Sequence, residues 1–425
     1  MVLISYLVLL FMLAFIGVPI AFALGFSSLV YVALGTRLPI MVVFQRLLTG
    51  IDSFPFMAIP FFILAGYLMN EGGLNKRIIA FSRVLVGHLY GGLANVSIVG
   101  SMIFAGISGS SVADASGLGS ILIPAMNGEG YDRTFSAAIN AVSSTVGIII
   151  PPSIPMILAG VATALSIRDL FLGGAVPGII VGLGMLIVST RISKKRNYPK
   201  YKKASLLLVL KEAFKTLPAL VEILIILGGI LGGIFTPTEA SVIAVVYAFL
   251  IGKFLYRELK LRRLPQVFKE VAISSAIVLF IIANAAAVTW LLAYSRLPQT
   301  LAEVLPTIFP NSTVFLLALG GLFLLAGTFI DVSPGVILFG PVLLPAVRAV
   351  GADPVHFTVI MVFALAIGLF TPPVGTTLFI SCYLSKTGIL ETVKESMPFF
   401  IEMVIILLLI IIFPVFVLWL PSLIR

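Results

Sequence analysis

Uninterrupted apolar runs of bilayer length recur from one end of this chain of 425 residues to the other. ALVEILIILGGILGGIF from Ala219 and FFIEMVIILLLIIIFPVFVLWL from Phe399 approach the ~20 residues an α-helix needs to cross a hydrocarbon core. The runs are continuous rather than alternating, so they predict helices and not the strands of a β-barrel. With 60% hydrophobic and 10% charged residues, the chain carries more apolar surface than a water-soluble fold hides. The expected class is an all-α polytopic membrane protein.

The opening MVLISYLVLLFMLAF has no basic segment and no clear cleavage pattern, so it reads as a first membrane helix and not a removed signal. Cys382 is the single cysteine, which excludes an internal disulfide and a multi-thiolate metal site. His88 and His356 are the only histidines, which leaves zinc or haem chemistry little material. No nucleophile–base pair and no Gly-x-x-x-x-Gly-Lys phosphate loop occurs, so neither an enzyme nor ATP-driven transport is expected. No cofactor is expected either.

Against this background IIIPPSIP, residues 148–155, is anomalous, because adjacent prolines break a helix where no water can satisfy the freed backbone. The stretch has an echo. At an offset of 221 residues Gly147, Pro151 and Pro152 meet Gly368, Pro372 and Pro373. Between Ala105 and Pro152 there are 12 identities in 48 positions, and eight are Gly, Pro or Asp, the residues that dictate backbone shape. The chain therefore reads as a repeat. The first half spans about 1–190, with scaffold helices in 1–71, a hairpin at 91–127 and a broken helix at 131–165. Residues 191–216 form a basic linker and amphipathic helix. The second half spans 217–425, with scaffold helices in 217–293, a hairpin at 311–347, a broken helix at 353–385 and a last helix at 397–420. Each hairpin segment is too long for one crossing and polar at its centre, so both are expected to be re-entrant.

Five crossings per half invert the second half relative to the first. Charge agrees: with the N-terminus outside, 21 of the 27 Lys and Arg fall on inner segments. The run KKRNYPKYKK at 194–203 is then a cytoplasmic linker, not a nucleic-acid patch, and no nucleic-acid partner is expected. Amphipathic pieces near 37–50, 74–90, 204–216 and 296–306 are expected to lie in the interface.

Inverted repeats with helices broken near the midplane are the pattern of secondary transporters. A break frees carbonyls and leaves hydroxyls that can surround a hard cation such as sodium. The candidates for two pseudo-symmetric cation sites are Ser108, Ser110, Asp114, Ser143, Ser144, Thr145 and Gly147 in the first half. In the second half they are Gly327, Thr328, Asp331, Gly368, Thr371 and Gly375. An organic anion between the sites would meet Ser111, Pro152, Ser153, Ser333, Pro373 and Thr376. Ser and Thr in membrane helices also bond back to their own carbonyls, so each hydroxyl alone is weak. Intramembrane carboxylates are functional by default, which favours Asp114 and Asp331 at the tips. Glu239 follows Thr-Pro-Thr and reads as a helix cap, while Glu222 and Glu402 are expected at an interface with another subunit or near the bilayer edge.

Several motifs then carry a family resemblance: IPFFILAGYLM (59–69), AGISGSSVADASGLGSILIPAM (105–126), GIIIPPSIP (147–155), GGIFTPTEAS (232–241), GTFIDVSPGVILFGPVLLP (327–345) and GLFTPPVGTT (368–377). Across nearly its whole length the chain resembles the large membrane (M) subunit of a tripartite ATP-independent periplasmic, or TRAP, transporter. The resemblance implies an inverted-repeat, elevator-type transporter with two re-entrant hairpins and two broken helices. It implies sodium-driven import of an organic acid, such as a C4-dicarboxylate or a sialic acid, across a bacterial or archaeal cytoplasmic (inner) membrane. It implies two partners besides the lipid bilayer, a periplasmic substrate-binding protein and a small four-helix membrane (Q) subunit. The alternative is a single-component sodium-coupled dicarboxylate symporter of similar two-hairpin architecture.

Overall fold

The computed structural model describes residues 6, 8–10, 12, 13, 16–309 and 311–424, and every regular element among them is helical. Most of the helix expected near 2–16 lies outside the described residues. Eight of the described helices are long and apolar enough to cross a bilayer. Large apolar side chains such as Leu34, Leu207, Phe214 and Leu325 point outward. In water such a surface would drive aggregation, but in lipid it is the ordinary exterior.

Polar caps start several of these helices. Ser110, Ser153, Ser166, Ser205 and Asn311 each accept a backbone N–H from the first turn that follows. Thr236 and Glu239 form a reciprocal capping box ahead of Pro237–Leu250, with Pro237 at the first helical position, so Glu239 is a cap as the sequence suggested.

Both polar-centred segments fold as helix–turn–helix. The first hairpin pairs Gly92–Ser108 with Ser111–Gly117 and Gly119–Gly128, and the second pairs Ser312–Phe329 with Val332–Ala349. The first turn needs Gly109, whose φ of +58° is left-handed. Both proline pairs interrupt helices, separating Arg133–Ser143 from Ile154–Thr163 and Pro354–Gly368 from Thr376–Ser385, and both Pro–Pro bonds are cis. The half-helices after the breaks cross over. Ile154–Thr163 packs on the return arm of the second hairpin, while Thr376–Ser385 packs on Arg133–Ser143 and on Ser111–Gly117. Asn140 Nδ2 donates to Ser381 Oγ at 2.8 Å, and Ser385 Oγ donates to the Arg133 carbonyl at 2.7 Å, which fixes that crossing.

Around this body stand Ala58–Glu71, Pro237–Leu250 and Leu264–Tyr294, braced by amphipathic Met41–Ile51 and Leu74–Val86. Two expectations differ from the structure. Residues 204–216 are not a separate amphipathic piece but the start of one helix, Leu206–Leu231, because the apolar and charged helix formers run unbroken through a tolerated Pro218. The last helix, expected over 397–420, runs Ile389–Ile412 and is broken before Val415–Ile424, where Pro414 cannot donate. The basic linker packs back on the first half. Tyr198 is buried and donates to Asp132 Oδ2 at 2.6 Å, Arg196 bridges Asp132 and Glu395, and Tyr201 bonds Glu129.

Candidate functional site

The hairpin tips and the first break meet around a cavity of about 290 Å³. Ser108, Ser110, Ser111 and Ser116 come from the first tip, and Asp331, Ser333 and Pro334 from the second. Ile148, Ile154 and Pro155 flank the first break. Phe62, Ile63, Gly66 and Tyr67 of Ala58–Glu71 and Ser274, Ile277, Val278 and Ile281 of Leu264–Tyr294 close the opposite wall. Gly66 faces Ser108 across the cavity wall, where an added methyl would stand in ordinary contact 3.5 Å from Ser108 Cβ. Among the residues that line the cavity, Asp331 is the one with a formal charge.

Each tip is stitched to the adjacent break by one backbone hydrogen bond. The Ile154 N–H donates to the Gly109 carbonyl at 3.2 Å, and the Val374 N–H donates to the Thr328 carbonyl at 3.0 Å. Gly147 lies against the first tip, with the Ser110 and Ser111 backbone 3.7 Å from where a Cβ would be. In the second half a Cβ on Gly368 would collide with the Gly327 backbone, so the hairpin arm and broken helix touch main chain to main chain.

Behind the first tip lies Asp114, wholly buried, with both carboxylate oxygens lacking a hydrogen-bond partner. Ser101 stands beside it but donates to Ser143 Oγ at 3.2 Å, and Ser97 Oγ lies 3.3 Å from the same atom. Ser144 Oγ donates to the Asn140 carbonyl at 2.6 Å, so its lone pairs stay available. An orphaned carboxylate with a serine hydroxyl beside it is the kind of oxygen donor that suits a hard cation. At the second tip Asp331 precedes Val332–Ala349 as Ser110 precedes Ser111–Gly117, and Thr376 Oγ1 lies 3.5 Å from Asp331 Oδ2.

Other expected residues fall elsewhere. Thr145 donates to the Val142 carbonyl at 2.7 Å and faces Met403 rather than the cavity. Thr328 and Thr371 donate to carbonyls of their own helices and line a separate, largely apolar cavity of about 250 Å³. Ser153 donates to the Ile148 carbonyl at 2.6 Å, and its oxygen caps Ile154–Thr163. Pro152 is buried under Gly109, where its carbonyl would stand 2.7 Å from an added Cβ. Pro373 is exposed and does not line the cavity, and neither does Gly375, which is buried with φ +29° at the second break. Glu222 does not face outward: it is wholly buried, with both oxygens unpartnered, and the carboxylate oxygens of Glu402 are buried against Gly184. Sequence reasoning missed Ser97, Ser101 and the whole far wall. The spacing of Ser97 and Ser101, one helical turn apart, was the available signal.

The chain matches the family model "Tripartite ATP-independent periplasmic transporter, DctM component" over residues 7–416. It is 38% identical over 414 residues to the sialic acid TRAP transporter large permease protein SiaM of Vibrio cholerae, covering 97% of this chain and 96% of that one. It is 37% identical over 421 residues to the C4-dicarboxylate TRAP transporter large permease protein DctM of Rhodobacter capsulatus, covering 96% of each. The solved YdaH transporter of Alcanivorax borkumensis shares the fold, with a TM-score of 0.64, 14% identity and 87% of each chain covered. These relatives are permease subunits and transporters, not enzymes. The chain belongs to the DctM family, the large membrane component of tripartite ATP-independent periplasmic transporters.

Proposed function

We propose that this chain imports an organic acid across a bacterial or archaeal cytoplasmic membrane, driven by a sodium gradient. A periplasmic binding protein would deliver the substrate, and a small four-helix membrane subunit would accompany the chain. The names of its relatives, sialic acid for one and C4-dicarboxylate for another, support the substrate class. In this reading the two halves are inverted repeats, and the hairpins and broken helices move together as an elevator against the outer helices.

The observation that carries the proposal is the cavity between the tips and the outer helices, with Asp114 orphaned behind it and Asp331 in its wall. A carboxylate substrate entering alone would meet Asp331 with no lysine, arginine or histidine in the lining to offset it. Like charges at such range in a partly dry site repel by several kcal/mol at an effective dielectric of ~20. Cations bound first at Asp114 and Asp331 would remove that repulsion, so sodium binding precedes the acid and the two are coupled. The hydroxyls of Ser108, Ser111 and Ser333 would then hold the carboxylate.

The test is uptake into proteoliposomes holding the chain and its small partner, with a labelled organic acid offered with and without the binding protein. Uptake that needs both an inward sodium gradient and the binding protein is expected. Sodium-driven uptake without the binding protein would point to a single-component symporter, and uptake indifferent to sodium would overturn the coupling.

A further inference from the structure

Resting on that reading, the walls of the cavity narrow the substrate class. Its two ends differ in chemistry. The tips offer the serine hydroxyls, whereas the opposite wall is mainly Phe62, Ile63, Ile277 and Ile281. Tyr67 and Ser274 are the polar exceptions there, enough for one oxo or hydroxyl group. Two of the helix starts that flank the cavity have few amides to offer. At Ile154–Thr163 the first N–H goes to Gly109, Pro155 has none, and the third goes to Ser153 Oγ. At Val332–Ala349 the carboxylate of Asp331 stands beside the first two amides, and Pro334 has none. A second carboxylate on the substrate would find no cationic side chain in the lining. A polyhydroxylated chain would press unpaired hydroxyls against isoleucine and phenylalanine, and each unmet buried polar group weakens binding. The volume, about 290 Å³, is at the small end for ligand sites.

We propose that this cavity selects a small monocarboxylate with a mainly aliphatic tail, over dicarboxylates and sugar acids. The carboxylate lies at the serine-rich tips and the tail lies along Ile277 and Ile281 of Leu264–Tyr294. The far wall therefore sets specificity, while the tips set charge.

The test is thermal unfolding of the purified full chain in sodium chloride and in potassium chloride, titrated with 3-methyl-2-oxobutanoate, succinate or N-acetylneuraminate. In sodium the first should stabilise with an apparent affinity at least about tenfold above the other two, one unmet polar group corresponding to roughly that factor. Ile277→Asn, which puts a polar amide into the far wall, should erase most of that preference. Tightest binding of succinate or N-acetylneuraminate would overturn the proposal, as would a preference unchanged in Ile277→Asn. Stabilisation by sodium with no response to any acid would sink the substrate class while leaving the sodium site standing. The tenfold preference seen equally in potassium would keep the class and remove the sodium coupling.

Discussion

Asp114→Asn replaces a buried carboxylate by a neutral amide of nearly the same shape. The carboxylate has no hydrogen-bond partner, so an ionised form costs the empty protein several kcal/mol, a penalty that a bound cation offsets. The variant should therefore be at least as stable as the wild type in potassium chloride. In sodium chloride the order reverses. A cation at 100 times its Kd adds ~2.7 kcal/mol to the folded state, and at 1,000 times ~4.1 kcal/mol. The wild type should gain an increment of that size, and Asp114→Asn should keep only the part contributed at Asp331. The assay is thermal unfolding in the two salts at equal ionic strength. Glu222→Gln serves as the comparison, because Glu222 is another buried, unpartnered carboxylate but lies on Leu206–Leu231, outside both hairpins. It should keep the full sodium increment. An undiminished increment in Asp114→Asn, or one lost equally in Glu222→Gln, would refute the assignment.

Three further outcomes are expected. Gly368→Ala forces a methyl into the Gly327 backbone and should destabilise by ~1–3 kcal/mol, whereas Gly321→Ala, with nothing within 4 Å, should be neutral or mildly stabilising; paired unfolding curves check both. Thr236→Ala removes half of the capping box before Pro237–Leu250 and should cost ~1 kcal/mol, read as faster amide exchange in that first turn. Burial raises the Tyr198 phenol above its usual value of 10 and pushes Tyr131 up to about 12, so the folded form holds these protons more tightly than the unfolded one. Their contribution is complete below pH 10 and is lost as pH rises through the folded values, so the linker should release in that alkaline window; ultraviolet titration of tyrosine should show it, with a smaller late phase in Tyr198→Phe.

Punctuation made much of the fold legible. Gly109, the two Pro–Pro pairs and the caps at Ser110, Ser153 and Thr236 fall where a helix must turn, break or begin, and an apolar background makes each of them conspicuous. The tips were legible for the same reason, because serines and aspartates stand out among leucines. The far wall was not. Ile63, Ile277 and Ile281 face a cavity, yet in sequence they match isoleucines that face lipid, and packing alone separates the two. Hydroxyl direction was equally hidden: Thr145, Thr328 and Thr371 look like ligands but satisfy carbonyls of their own helices. Pro414 lies inside an apolar run long enough for one helix, so composition does not mark the end at Ile412.

The crossing of the two half-helices bears on how such a chain can come to be folded. Ile154–Thr163 completes the packing of the second hairpin, and Thr376–Ser385 completes that of the first. Each half thus supplies a piece of the other's interior, in the manner of a swapped dimer whose two protomers share one polypeptide. Synthesis of residues 1–190 alone leaves Arg133–Ser143 without its covering segment, and the inner body closes only when the final third of the chain has emerged. Severing the chain at the exposed Lys202 should therefore yield two fragments that mature together or not at all. That interdependence gives the chain one cooperative core that neither fragment could close alone.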